Sequence, residues 1–436
     1  MKTRRTSIIY QLIAIAFALL LGVVPVMAVV MNDESSAAMA VNPEFRGGTR
    51  GTKNVILLIG DGMGQAQVTD ARWEKAGENL GTYATTRLSM DGMEQACTAL
   101  TYSADSFIPD SASAGTAIAC GEKTDNGVIS QDATAVFPGT SGKDLTSILE
   151  LAEKSGRSSG VVTTTRITHA TPAVFYAHTP NRDDEVSIAD QLVKSKVDVA
   201  FGGGATEFVP STVTDPFGKA GLRTDGRNLM DEATGKGYKV ITTSSEMASL
   251  SPSDHRVIGL FSSSHMAYEH DRAGTTTQPS LSQMTGSAIR ILSQDRDGFF
   301  LMVEGGRIDH ACHERRVLTQ AEETLEFDNA VKIALDFARR TDTLVIVTAD
   351  HETGGLALGS NNAANYQGNM VPTFGSGLDV SGGYLPVPGA IKTLTEATHT
   401  AVDVPLLITG PKAAQICHGP IDDTRIFTAM KDAMRV

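Results

Sequence analysis

Four apolar, β-rich runs in this chain each lead directly into an acid or a histidine. Val55–Ile59 leads into Gly60-Asp61-Gly62-Met63-Gly64, and Phe299–Val303 into Glu304 and then Asp309 and His313. Leu344–Thr348 leads into Asp350-His351-Glu352, and Gly160–Thr164 is followed by Thr168-His169-Ala170-Thr171. Taken singly, each acid is an ordinary helix cap or turn residue. Gathered at one edge of a sheet, the carboxylates would repel and raise one another's pKa, and divalent cations are the natural way to keep them ionised. Imidazole with carboxylate oxygen suits Zn2+, whereas Glu304 and Thr171 offer only oxygen and suit a harder ion such as Mg2+. Asp309 and His313 stand four apart and share a face if a helical turn spans them, with His310 one residue off that face. His399 precedes its strand instead of following one, so the strand-end argument gives it no role.

A nucleophile is also visible. Asp110-Ser111-Ala112-Ser113-Ala114-Gly115-Thr116-Ala117 is a run of small residues that reads as a closely packed helix start. Ser111 would sit where free N–H groups and the helix dipole favour an anion such as phosphate; the plainer reading is an Asp/Ser N-cap. The chain has no G-x-S-x-G elbow and no H-E-x-x-H zincin motif. A serine with no evident base partner, beside a cluster of metal-ligand types, points to metal activation of its hydroxyl.

The elements that must position these residues alternate. Helical patterns near 145–154, 185–194, 228–234, 282–292 and 317–338 separate apolar strands near 55–59, 160–164, 198–201, 239–242, 257–261, 299–303, 344–348 and 405–408. Strands apolar on both faces, separated by helices, indicate an α/β fold: a doubly wound, mostly parallel sheet covered on both sides. Ligands then bind beyond the carboxyl ends of the strands. The Gly/Asn/Ser-rich stretch 354–383 reads as a loop insertion into a single domain spanning 51–436.

The 436 residues are 41% hydrophobic and 20% charged, a composition that fits a soluble globular protein and neither a disordered chain nor a multi-span membrane protein. A net charge of −13 argues against nucleic-acid binding. Lys2, Arg4 and Arg5 precede an apolar run ending at Val26-Met27-Ala28, which reads as an export signal over 1–28, with cleavage near 40 or an uncleaved anchor as alternatives. Residues 29–50 then form a flexible segment, and the protein is periplasmic or extracellular with no stable membrane association after cleavage. The four cysteines, Cys97, Cys120, Cys312 and Cys417, allow three complete pairings or free buried thiols.

Ile108-Pro109-Asp110-Ser111-Ala112-Ser113-Ala114-Gly115-Thr116 resembles the phosphoserine signature of the alkaline phosphatase family. Asp61-Gly62-Met63-Gly64, His169-Ala170-Thr171-Pro172, Glu304 through His313, Ala349-Asp350-His351-Glu352 and Thr398-His399-Thr400 fall in that family's order, across about residues 54–410. The resemblance implies an alkaline-phosphatase-like fold and two Zn2+ sites, one from Asp309, His313 and His399 and one from Asp61, Asp350 and His351. It also implies an Mg2+ held by Asp61, Thr171 and Glu304. Ser111 becomes the metal-activated nucleophile of a phosphate-monoester hydrolase, forming a phosphoserine and releasing inorganic phosphate, and Arg182 the bidentate phosphate clamp. His169 and His310 stand where one bacterial branch has Asp and Lys. His169 is then a direct or an outer ligand, His310 a substrate-binding residue, and the third ion Co2+ or Zn2+ as an alternative to Mg2+. His178, His255, His265, His270 and His418 receive ordinary surface or packing roles. Family members are often homodimers, which allows a second copy as partner. The alternatives are a phosphodiesterase of the same superfamily and a non-catalytic exported binder of phosphate or zinc. No cysteine begins the C-x-P-x-R core of a sulfatase.

Overall fold

The apolar runs of the sequence become the middle of a ten-stranded sheet. The computed structural model describes residues 52–272, 277–360, 370–375, 378–380, 391–393 and 396–436, with the two three-residue stretches described by backbone alone. The leader assigned to 1–28, the segment 29–50 and much of the 354–383 insertion lie outside the described residues. Within that insertion, Leu356–Ser360 and Met370–Phe374 pair as an antiparallel hairpin.

The sheet strands are β1 (Asn54–Ile59), β2 (Gln95–Leu100), β3 (Ser158–Arg166), β4 (Val199–Gly203) and β5 (Lys239–Ile241), then β6 (Val257–Leu260), β7 (Phe299–Glu304), β8 (Thr343–Thr348), β9 (Val404–Thr409) and β10 (Ile421–Asp422). Their spatial order is β10-β2-β9-β8-β1-β7-β3-β4-β6-β5. Every residue of β1, β7 and β8 is buried, as strands covered on both faces must be. All neighbouring pairs are parallel except those of β9, which runs antiparallel to both β2 and β8. That reversal matters for the site: residues preceding β9 lie at the same edge as residues following β1, β7 and β8.

The helices used below are α1 (Gln65–Lys75), α2 (Ser111–Cys120), α3 (Leu281–Leu292), α4 (Arg307–His313), α5 (Val317–Ala338) and α6 (Thr424–Met434). Capping boxes start the helix Ile148–Lys154 at Ser147/Glu150 and α3 at Ser280/Gln283. Helix α5 packs against α3 and α1, and α6 against α2. Helix α2 is buried at all ten positions. Its small side chains allow this, since a Cβ on Gly115 would already stand 3.2 Å from Val174 of the neighbouring turn.

The cysteine question resolves to one bridge, Cys97–Cys417, with Cys120 and Cys312 free and buried. It ties β2 to the segment after β9 across a sequence separation of 320. Cross-links that close long loops restrict the unfolded chain most, so reduction is expected to remove on the order of 2–4 kcal/mol of stability. Thermal melts with and without reductant check this: Tm should drop by several degrees, and an unchanged Tm would contradict it.

Candidate active site

Strand register brings the acids together. Ile59 of β1 is level with Glu304 of β7 and with Thr348 of β8, so Asp61, Glu304 and Asp350 leave adjacent strand ends. The glycines of Asp61-Gly62-Met63-Gly64 make room for the crossing. Gly62 has φ +68°, and a Cβ there would lie 2.8 Å from Thr353 Oγ1 and 3.0 Å from the Asp309 backbone; a Cβ on Gly64 would lie 2.4 Å from Glu352. The Gly62 N–H is thereby free to donate to Asp350 Oδ1 at 3.2 Å.

Among the described residues, three groups have metal-ligand atoms that lie within 4.8 Å of one another inside each group: Asp309, His351 and His399; Asp61, Asp350 and His351; and Asp61, His169 and Glu304. His313 joins the first, its Nε2 3.1 Å from His399 Nε2 and 3.2 Å from Asp309 Oδ1, as its place one turn along α4 from Asp309 requires. His399, which the strand-end argument passed over, arrives because β9 is antiparallel. It also forms a two-residue strand with Thr400 that pairs with Glu352–Thr353.

The polar groups fit a cation. Both Asp61 carboxylate oxygens, Asp350 Oδ2, Glu304 Oε1, Thr171 Oγ1 and His169 Nδ1 are buried without a hydrogen-bond partner. Orphaned buried polar atoms are rare and costly. Six at one locus, all of metal-binding types, mark where divalent ions could sit. The imidazoles are oriented to match. His313 Nδ1 faces the Ala397 carbonyl at 2.6 Å, His399 Nδ1 the Pro109 carbonyl at 2.9 Å, and His351 Nδ1 the Thr353 hydroxyl at 3.1 Å. Each therefore carries its proton on Nδ1 and leaves Nε2 for the cluster.

The electrostatics of the ion-free cluster are correspondingly strained. Burial, then the charges of Asp350, Asp309 and Glu304, holds Asp61 well above the usual carboxylate range. Burial likewise pushes Glu304 up to about 7 and, with Asp309, pushes Asp350 up to about 6. Burial would raise Asp309 too, but the imidazoles of His313, His399 and His351 hold it well below. Against the effect of burial, Asp309 draws His313 up to about 9.

Ser111 is the first residue of α2, with Asp110 as N-cap accepting from Ser113 N–H at 2.9 Å. Its Oγ lies 3.3 Å from His351 Nε2, against the group that Asp61 and Asp350 share. Asp110 does more than cap: its Oδ2 accepts from Gly127 N–H at 2.9 Å and from Arg182 Nη1 at 2.7 Å. Arg182 Nη2 lies 3.2 Å from His169 Nε2. Arg182 is thus held by a half-buried carboxylate beside Ser111, and Thr171 enters from the single turn Ala170–Ala173.

Other residues became visible only in three dimensions. Thr353 donates to Asp309 Oδ1 at 2.5 Å while receiving from His351 Nδ1, so one hydroxyl joins two of the groups. The buried Glu352 carboxylate accepts from Gln67, Gly355, Leu356 and Thr400 at 2.5–3.1 Å, fixing the strand that carries His399. His265, assigned an ordinary role from sequence, stacks edge-on against His310 with centroids 4.4 Å apart. Nothing in their spacing announces these partners. Thr353→Val keeps the volume and removes the shared hydroxyl; it is expected to weaken zinc binding by about 10–100-fold, read by zinc titration of the apoprotein. Wild-type affinity would show that the hydroxyl orients neither ligand.

The family model described as alkaline phosphatase matches residues 52–373. The chain belongs to the alkaline phosphatase family. It is 39% identical over 333 residues to a membrane-bound alkaline phosphatase of Bombyx mori, covering 69% of this chain and 60% of that one. It is 38% identical over 337 residues to the human tissue-nonspecific alkaline phosphatase, covering 70% and 63%. The chain therefore spans less than two thirds of the length of these relatives. Among solved structures, the alkaline phosphatase of the Antarctic bacterium TAB5 superposes with a TM-score of 0.72 at 29% identity, covering 88% of this chain and 99% of that one. A variant of that enzyme with one histidine changed to aspartate has Mg bound in its M3 site. These likenesses agree with the large, mostly parallel sheet.

Proposed function

We propose that the protein is a phosphate-monoester hydrolase that uses Ser111 as its nucleophile and passes through a phosphoserine. The observation that carries this is the position of Ser111 Oγ at the start of a buried helix, 3.3 Å from His351 Nε2 and beside the orphaned carboxylates of Asp61 and Asp350. Asp309, His313 and His399 would hold one Zn2+, Asp61, Asp350 and His351 a second, and Asp61, Thr171 and Glu304 an Mg2+. Bound there, divalent ions supply positive charge that lowers the pKa of a hydroxyl and neutralises phosphoryl oxygens. Arg182 Nη2 donates to His169 Nε2, so the imidazole proton sits on Nδ1 and His169 serves the third group as an outer residue, with Co2+ or Zn2+ as alternatives to Mg2+ there.

The chain's own groups do the rest. Arg182, aimed by Asp110, grips two phosphoryl oxygens with its guanidinium fork. The N-terminal amides of α2 favour the anion beside Ser111. Ser111 Oγ attacks phosphorus, the alcohol departs with a proton, and water then cleaves the phosphoserine to inorganic phosphate. Thr353 and the carbonyls of Ala397 and Pro109 keep the three imidazoles in the tautomer that leaves Nε2 free. The acidic chain and its anionic substrate are reconciled because the acids at the site are ligands.

Hydrolysis of a chromogenic phosphate monoester and the matching diester, with and without chelator, tests the reading. Chelator-sensitive turnover strongly favouring the monoester is expected; equal rates on both, or chelator-resistant turnover, would overturn it. Export is inferred from the leader pattern together with the Cys97–Cys417 bridge, since disulfides persist in oxidising compartments. Among the described residues no helix is long and apolar enough to cross a membrane.

A further inference from the structure

Beyond Arg182 the site continues into a second set of hydrogen-bond donors. His169 is followed outward by His310 and His265, whose ring centroids lie 5.7 and 5.6 Å from it. The Arg307 guanidinium lies 3.7 Å over the Tyr268 ring and donates from Nη1 to His310 Nδ1 at 2.7 Å. That contact puts the His310 proton on Nε2. Arg307 Nε is buried without a partner.

Arg166 meets His265 twice, its backbone N–H 3.2 Å from Nδ1 and its Nη1 2.6 Å from Nε2. A neutral imidazole accepts at one nitrogen only, so one of these contacts sets N–H against N–H. The Glu185 carboxylate cannot relieve the conflict, because it already accepts from Arg166 Nε and Nη2 and from the Thr168 hydroxyl. Half-buried donors from two arginines and two histidines thus crowd together beside His169, the residue that Arg182 touches, with the Arg307 Nε lacking any acceptor. A multiply charged oxyanion is the ligand chemistry that satisfies them.

We infer that Arg166, His265, Arg307 and His310 form a second anion subsite, and that the chain's favoured substrates are monoesters or anhydrides carrying another phosphate, the class of nucleoside diphosphates and bisphosphorylated small molecules. This rests on the phosphomonoesterase reading of the Ser111 site. The terminal phosphoryl group moves to Ser111 as its bond to the bridging oxygen breaks. The remaining phosphate or alcohol takes the proton, and water releases inorganic phosphate.

The experiment compares wild type, His265→Asn and Arg307→Met in the metal-loaded enzyme. The readouts are kcat/KM on a nucleoside diphosphate relative to an aryl phosphate, and binding of methylenediphosphonate relative to inorganic phosphate. Arg307→Met keeps a chain long enough to cover Tyr268, and Tm identifies a variant that fails to fold. Each substitution is expected to lower both ratios by about tenfold, the loss of one charge-assisted contact. Unchanged ratios in both folded variants of an active enzyme would overturn the subsite alone. A wild type inactive on every phosphate ester would overturn the reading of the Ser111 site, while the diphosphonate ratio would still judge the subsite.

Discussion

Ser111→Ala is expected to reduce turnover of a phosphate monoester by on the order of a thousandfold or more while leaving fold and metal content intact. The side chain is nearly enclosed, with 2% of its surface exposed, and an alanine fits the same space. Asp110 would still cap α2 and hold Arg182, and the metal-ligand groups would lose no ligand. The damage should therefore appear in kcat and scarcely in the affinity for inorganic phosphate, because only the bond-forming oxygen is gone. Steady-state kinetics with metal analysis checks this. An alanine variant turning over at the wild-type rate would mean that water attacks the ester directly, and Ser111 would then be only a helix-start residue.

Removing the divalent ions is expected to destabilise the protein, and to do so more at alkaline than at acid pH. In the ion-free cluster Glu304 is pushed up to about 7 and Asp350 to about 6, with Asp61 also raised, first by burial and then by neighbouring acids. A carboxyl with a raised folded-state pKa binds its proton more tightly when folded than when unfolded. Its contribution to stability is intact below the unfolded value near 4 and is lost as pH rises through 6 to 7. For Glu304 and Asp350 the loss is on the order of 3 kcal/mol each. Thermal melts of chelated protein at pH 5 and pH 8.5, repeated with Zn2+ and Mg2+, read the effect. Chelated protein should melt lower at pH 8.5 than at pH 5, and added ions should restore the alkaline Tm. A Tm insensitive to both chelator and pH would contradict the metal-cluster account.

Much of this was readable from the chain, and the exceptions have definite causes. Asp61, Glu304 and Asp350 were legible because they follow strands whose apolar runs are unmistakable, and parallel strands deliver their ends to one edge. Asp309 and His313 were legible from a spacing of four on a helix. His399 was not, by strand logic, because the antiparallel direction of β9 cannot be read from the residues of β9. The pairing of Cys97 with Cys417 depends on β2 joining the sheet next to β9, and β2 is too mixed in polarity to announce itself. Thr353, Glu352 and Asp110 escaped for another reason. A threonine and a glutamate in a two-residue strand and an aspartate at a helix cap are common everywhere, and only their partners make them important. His265 lies far in sequence from His310, and only the packing of its loop beside α4 joins them.

The account stands most directly on whether Ser111 becomes phosphorylated. Wild-type protein given a phosphate monoester and quenched in acid should yield, on proteolysis and mass mapping, a single phosphorylated peptide containing Ser111. Steady turnover with no phosphorylated peptide, or with the phosphate on another residue, would contradict it.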